Sequence, residues 1–237
     1  MLQVEQIRNH FRNIGTRQRA VGEKKYLKSK LMFFGVPVPE VRKAARQFKK
    51  EHPHLTRQEL LRQTQAMWTD YHEMRTVSIA ILEQYVQLLR GADIAFVEKL
   101  IRRSEGWSHV DFLAVQIAGP IVQKYKSARK RITRWSRDES FWIRRSSMLS
   151  LILELRSEDG DFELFAGFAD GMLDEKEFFI RKSIGWVLRE ASKARPELVY
   201  DYLLNRIKRV SGLTLREGSK RLPERQRKRL LALYAKK

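Results

Sequence analysis

At 237 residues and 28.1 kDa the chain is long enough to bury a full core, as one body or as two small ones. Its 48 Lys and Arg against 28 Asp and Glu give a formal charge of +20 and a pI near 10.4, far beyond what solubility needs, and point to a polyanionic partner. Cysteine is absent, which excludes disulfides, thiolate metal sites and cysteine lipidation. No stretch approaches the ~18 apolar residues of a membrane span, and Met1-Leu2-Gln3-Val4-Glu5 is no signal peptide, so the reading favours a reducing cytoplasm.

Along the chain, apolar residues recur at three- and four-residue spacing and period-two alternation is missing, so helix is expected to follow helix. Residues 1–35 read as N-terminal capping helices. In Phe33-Phe34-Gly35-Val36-Pro37-Val38-Pro39 two prolines force an extended linker, and Pro39 suits the first turn of a helix continuing through Glu40, Val41 and Arg42. Ile94, Val97, Leu100 and Ile101, then Leu149, Ile152 and Leu153, mark later helices. Gly91, Gly106, Gly160 and Gly212, with Pro53, Pro196 and Pro223, punctuate them. Residues 36–215 read as repeats and 216–237 as a basic C-terminal cap carrying Arg225-Gln226-Arg227-Lys228-Arg229, all within one domain.

Phe141-Trp142-Ile143-Arg144-Arg145-Ser146 overlays Phe178-Phe179-Ile180-Arg181-Lys182-Ser183 at an offset of 37 residues, and Arg75 and Asp111 give weaker echoes 36 and 34 residues apart. Such a period fits a helical hairpin stacked repeatedly, an all-α solenoid. It predicts a column of Arg75, Asp111, Arg145 and Lys182 on a positively charged concave face, where cations and helix N-termini would meet phosphates. Unrelated charges at helix starts would give the same residues without the column.

Most enzyme classes find no support. The five histidines, His10, His52, His54, His72 and His109, lack zinc-site spacing, and most of them read as surface or capping residues. Gly212 to Lys220 departs from a phosphate loop in spacing and in the order of Ser219 and Lys220, and no Gly-x-Ser-x-Gly elbow exists. What remains is Asp111, the one acid in the column, with Trp107 four residues before it on one helical face and Trp186 four after Lys182. Each indole alone is more simply read as core packing.

At these residues the sequence resembles the DNA alkylation repair glycosylases of the AlkD type, built from right-handed stacks of HEAT-like helical hairpins. The matching motifs are Tyr26 in Lys24-Lys25-Tyr26-Leu27-Lys28; Gly35 to Arg42; Trp107-Ser108-His109-Val110-Asp111; Trp142-Ile143-Arg144-Arg145; and Glu177 to Glu190, together spanning roughly residues 20 to 220. Where the family often reads Asn-Trp-Asp-x-Val-Asp, this chain has Gly106-Trp107-Ser108-His109-Val110-Asp111, which touches helix capping and leaves the matched Trp and Asp in place.

The resemblance implies excision of cationic alkylated purines, N3-methyladenine and N7-methylguanine, from double-stranded DNA by hydrolysis of the N-glycosidic bond. It implies Trp107, Asp111 and Trp186 as active-site residues, and Tyr26, Arg42, Arg145, Lys182 and Arg189 on the DNA backbone. Phe179 would lie near the lesion. It requires no metal, nucleotide or other cofactor and no membrane, and is consistent with a monomer working at the nucleoid. Two readings stay open beside it: a non-catalytic DNA-binding relative, and a protein-interaction scaffold.

Overall fold

The computed structural model describes residues 2–237, and among them the protein is all-α; the one β contact is an isolated pair, Met32 with Tyr71. The chain divides into two compact units, Met1–Ile117 and Ala118–Lys237.

The first unit holds α1 (Leu2–Ile14), α2 (Arg17–Leu27), α3 (Val38–Glu51), α4 (Arg57–Met67), α5 (His72–Gln84), α6 (Ile94–Arg102) and α7 (Trp107–Phe112). Helix α5 is its centre. Met74, Val77, Ile79, Ala80, Ile81 and Leu82 are all buried, so α5 is covered on every side, with α3 and α4 packed against it. Helix α4 starts with a reciprocal cap, in which the Thr56 hydroxyl accepts from the Glu59 amide and the Glu59 carboxylate accepts from the Thr56 amide.

The extended segment expected before α3 is present, with Pro37 just before the helix and Pro39 in its first turn. Its backbone is held from outside. The buried Glu73 carboxylate of α5 accepts from the amides of Phe34 (3.1 Å), Gly35 (2.7 Å) and Val36 (3.2 Å), donors that a proline-bounded strand cannot satisfy itself. Gly35 sits at φ +78°, and a Cβ there would come within 2.1 Å of the Thr16 carbonyl oxygen, so only glycine fits.

The second unit holds α8 (Gly119–Lys124), α9 (Arg129–Trp135), α10 (Phe141–Leu149), α11 (Ile152–Leu155), α12 (Phe162–Asp170), α13 (Phe178–Ala191), α14 (Pro196–Asn205), α15 (Gly212–Gly218) and α16 (Glu224–Ala235). Its organising helix is α13, which buries Ile180, Ile184, Val187, Leu188 and Ala191 at helical spacing. Burial of each larger side chain there contributes about 1.5–3 kcal/mol. Gly185 lets α15 come close, because a Cβ at that position would lie 2.6 Å from Glu217 Cβ.

The repeat register differs by one residue from the column read in the sequence. Arg75 Nε donates to the Thr69 carbonyl (2.6 Å), Arg144 Nη1 to the Asp138 carbonyl (2.6 Å) and Arg181 Nε to the Glu175 carbonyl (2.7 Å). Each reaches six residues back and closes the turn leading into its own helix. Ser78 and Ser147, three residues after Arg75 and Arg144, both return a hydroxyl bond to the arginine's own carbonyl. The repeating position is therefore Arg75, Arg144 and Arg181, a structural clamp, and Arg145 and Lys182 lie one residue past it. Arg75 is itself buried, which corrects the expectation of a cation offered to phosphate.

Candidate functional site

In the first unit the candidate residues gather around α7. Trp107 and Asp111 lie one turn apart on it, both half-buried. The Tyr26 ring, 73% exposed at the end of α2, meets the Trp107 indole edge-on with centroids 6.0 Å apart and planes at 87°. Next to Asp111, the Phe112 ring carries the Arg42 guanidinium 5.2 Å over its face, and Arg42 also reaches the Glu83 carboxylate at 3.4 Å. Helix α7 thus carries two contacts: Trp107 is met by Tyr26 of α2, and Phe112, beside Asp111, is met by Arg42 of α3.

Two features set the position of α7. Directly after it, Leu113–Ala118 winds as a π-helix. Pro120 offers no N–H to the carbonyl one turn back and its ring crowds that carbonyl, so the turn before it widens. Beneath α7 lies an aromatic stack: Phe33 on His72 (4.6 Å), then His72 on His109 (4.4 Å). His109 is buried, with Nε2 3.2 Å from both the Thr76 hydroxyl and the His72 carbonyl.

Burial pushes His109 well below the ordinary histidine range, helped by His72 and Arg75. His72 is pushed down to about 4, again by burial first and by Arg75 second. Both rings are neutral packing elements. This pair stands apart from the histidines read as surface or capping residues, because their flat rings fill the layer between α5 and α7.

In the second unit the candidates form an aromatic and cationic cluster on α10 and α13. Phe141 and Trp142 pack ring against ring at 4.5 Å, and Phe179 lies 4.8 Å from Trp142 and 5.3 Å from Phe178. The Arg145 guanidinium sits 5.7 Å over Phe179 and 5.9 Å over Trp186 and donates to the Phe179 carbonyl. It is only 2% exposed, so Arg145 orients Trp186 and Phe179 and does not project towards solvent. Lys182 does project, with its ammonium 5.7 Å over the half-exposed Phe178 ring. Arg189 is engaged by Glu217 and, at 3.9 Å, by Glu190, so its charge is largely balanced within the fold.

Glu73 and His72 carry structural work around these residues that the sequence did not signal. The Trp142 signal was present in its overlay with Phe179; a buried glutamate serving three amides has none. Among the described residues no group of His, Asp and Glu is arranged to hold a metal ion, and no helix is long and apolar enough to cross a membrane.

The family model for the DNA alkylation repair enzyme matches residues 7–222. Among solved structures, the chain is similar to a predicted DNA alkylation repair enzyme from Enterococcus faecalis, at 27% identity and a TM-score of 0.78, covering 89% of this chain and 97% of that one. It shares its fold with AlkD2 from Streptococcus mutans (17% identity, TM-score 0.59, covering 79% and 91%). The same holds for smu.31 from Streptococcus mutans UA159 (18% identity, TM-score 0.58, covering 78% and 93%). A search of curated proteins returned no match. The helical-repeat fold and a match over most of its length make this chain a member of the DNA alkylation repair enzyme family.

Proposed function

We propose that the protein is a DNA glycosylase that removes cationic alkylated purines, such as N3-methyladenine and N7-methylguanine, from duplex DNA. The observation that carries this reading is the α7 arrangement: a carboxylate, Asp111, one turn from an indole, Trp107, that the exposed Tyr26 ring meets edge-on. Membership of a DNA repair family supplies the substrate polymer, and the +20 charge supplies the attraction to it.

Alkylation of a purine ring nitrogen leaves the base positively charged and already a good leaving group. Catalysis then needs little proton donation. As the N-glycosidic bond breaks, positive charge moves to the deoxyribose, and the Asp111 carboxylate stabilises that oxocarbenium-like state and orients the attacking water. Water adds to the anomeric carbon, its proton is released, and the neutral alkylated base departs with the bonding electron pair. No metal or organic cofactor enters.

Trp107 contacts the electron-poor lesion or its sugar through the ring face, an attraction of about 0.5–2 kcal/mol that an uncharged base gains less from. Trp186, held by Arg145, has the same role, with Phe179 near the lesion. Tyr26, Arg42 and Lys182 hold the backbone, and Arg189 contributes through what charge Glu217 leaves. Selectivity rests on lesion charge and bond lability, so the base need not enter a deep pocket and bulky cationic adducts are tolerated. The protein acts as a monomer at the cytoplasmic nucleoid.

The test is to incubate the protein with methylated duplex DNA and identify the released bases, with Asp111→Asn as control. Released N3-methyladenine and N7-methylguanine that disappear in the variant support the reading. Tight, salt-dependent binding without released base would support a non-catalytic relative instead. Salt-insensitive binding to a protein, with no affinity for DNA, would support a scaffold.

A further inference from the structure

The family match ends at residue 222, and α16 begins at Glu224. Between Arg216 and Lys237 the chain carries nine basic residues and two acidic ones, a net +7 of its +20 on fewer than a tenth of its residues. Helix α16 docks by one narrow stripe, the buried Leu230 with the half-buried Gln226 and Tyr234 one turn to either side. Gln226 is fixed by a 2.6 Å contact with Glu197 of α14.

The opposite side is a cationic ridge. Arg225, Lys228 and Arg229 lie at i, i+3 and i+4 on the outward face, with Arg221 before the helix and Lys236 at its end, and all five are exposed. Lys228 has a partner in Glu224, 2.7 Å away in open solvent, where the pair is weak. No carboxylate lies within ion-pair distance of Arg225 or Arg229 among the described residues. Like charges at these spacings oppose helix formation, so helix stability does not account for them. Burial does not either.

We propose that this ridge is a second contact surface for duplex DNA, read through its phosphates without regard to sequence. It rests on the reading of the protein as DNA-binding. Arg225 and Lys236 are eleven residues apart, so the ridge runs for about 16 Å along the helix axis. A duplex presents a negative charge for every ~1.7 Å of its own axis, and a linear row of exposed arginines engages several such charges with little geometric demand. The fold needs none of these side chains, which leaves them available to the polymer.

The experiment compares the full-length protein with the Arg225→Gln, Arg229→Gln, Lys236→Gln variant, and with an Arg225→Glu, Arg229→Glu variant. Duplex binding is measured from 50 to 300 mM salt, and base release under single turnover at saturating enzyme. The glutamine variant is expected to bind about tenfold more weakly at low salt, with a salt slope lower by about 2–3, and the glutamate variant more weakly still. Base release at saturation stays at the wild-type rate.

Wild-type affinity and slope in both variants, with wild-type protein still binding and excising, would overturn the ridge and leave the glycosylase reading intact. Binding without excision in wild type would remove that reading while the slope still decides the ridge. If the variants lose heparin affinity but keep duplex affinity, the ridge serves another polyanion and the proposal fails. Far-ultraviolet circular dichroism identifies any misfolded variant, and single substitutions at these exposed positions then supply the comparison.

Discussion

The Tyr26 ring stands perpendicular to the Trp107 indole at 6.0 Å, so the most exposed aromatic side chain of the first unit fixes the edge of a residue one turn from Asp111. An edge-to-face pair of this kind contributes about 0.5–1.5 kcal/mol. Tyr26→Ala is therefore expected to lower thermal stability by only a few degrees while slowing base release several-fold, read by calorimetry and by single-turnover excision. Tyr26→Phe retains the ring contact and should restore most of the rate. If Phe fails as badly as Ala, the hydroxyl acts on DNA directly.

Replacing Asp111 by asparagine keeps its size and removes its charge. Loss of one preorganised electrostatic group of this kind costs about 10²–10³ in rate. Excision of N7-methylguanine should fall by that factor with duplex affinity unchanged within twofold, as followed by base release and by fluorescence anisotropy.

Arg145 yields a different expectation from the surface cations, because it is buried under Phe179 and Trp186. Arg145→Ala should destabilise the second unit by about 2–4 kcal/mol and change the Trp186 fluorescence, with the salt slope of DNA binding nearly unaffected. A reduced slope with unchanged stability would mean that the side chain reaches phosphate.

Glu73 is a third kind of case. Glu73→Ala strips three backbone amides of their acceptor at once, and urea unfolding should show a loss of about 3–5 kcal/mol from the first unit. Gly35→Ala, in the same segment, should cost about 1–3 kcal/mol or more through its positive φ and the Thr16 contact.

Acid should weaken the first unit through the His72 and His109 stack. Both groups are depressed in the fold, so the unfolded chain binds more protons between their folded and ordinary values. Their neutral packing is fully available above about pH 6.5 and is lost as pH falls towards 4, so stability rises with pH in that window. His72 alone accounts for on the order of 2–3 kcal/mol by pH 4. Denaturation midpoints at intervals from pH 4.5 to 7.5 measure the slope, which His72→Phe should flatten.

Local chemistry was legible in the sequence. Pro37 and Pro39 announced the linker before α3, the 37-residue overlay aligned α10 with α13, and the Trp107 and Asp111 spacing placed both on one turn. Which arginine in each repeat faces inward was not. Arg144 and Arg145 are adjacent and chemically identical, and only the carbonyl six residues upstream distinguishes the clamp from the ring-stacked neighbour. Likewise His109 reads as a polar residue until Phe33 and His72 are seen stacked beneath it.

The arginine that reaches six residues back also reaches forward: Arg75 Nη1 donates to the Arg103 carbonyl (2.9 Å) and Arg144 pairs with the Glu175 carboxylate (2.8 Å), so each ties its own turn to a segment 28 or 31 residues later. From Arg75 to Arg144 is 69 residues and from Arg144 to Arg181 is 37, yet each ties the same loop. One guanidinium at Arg75 or Arg144 therefore joins consecutive loops, and its loss loosens two turns at once. Neighbouring hairpins are thus stitched to one another at these two arginines, so their mutual spacing is set by side-chain bonds as well as by apolar packing.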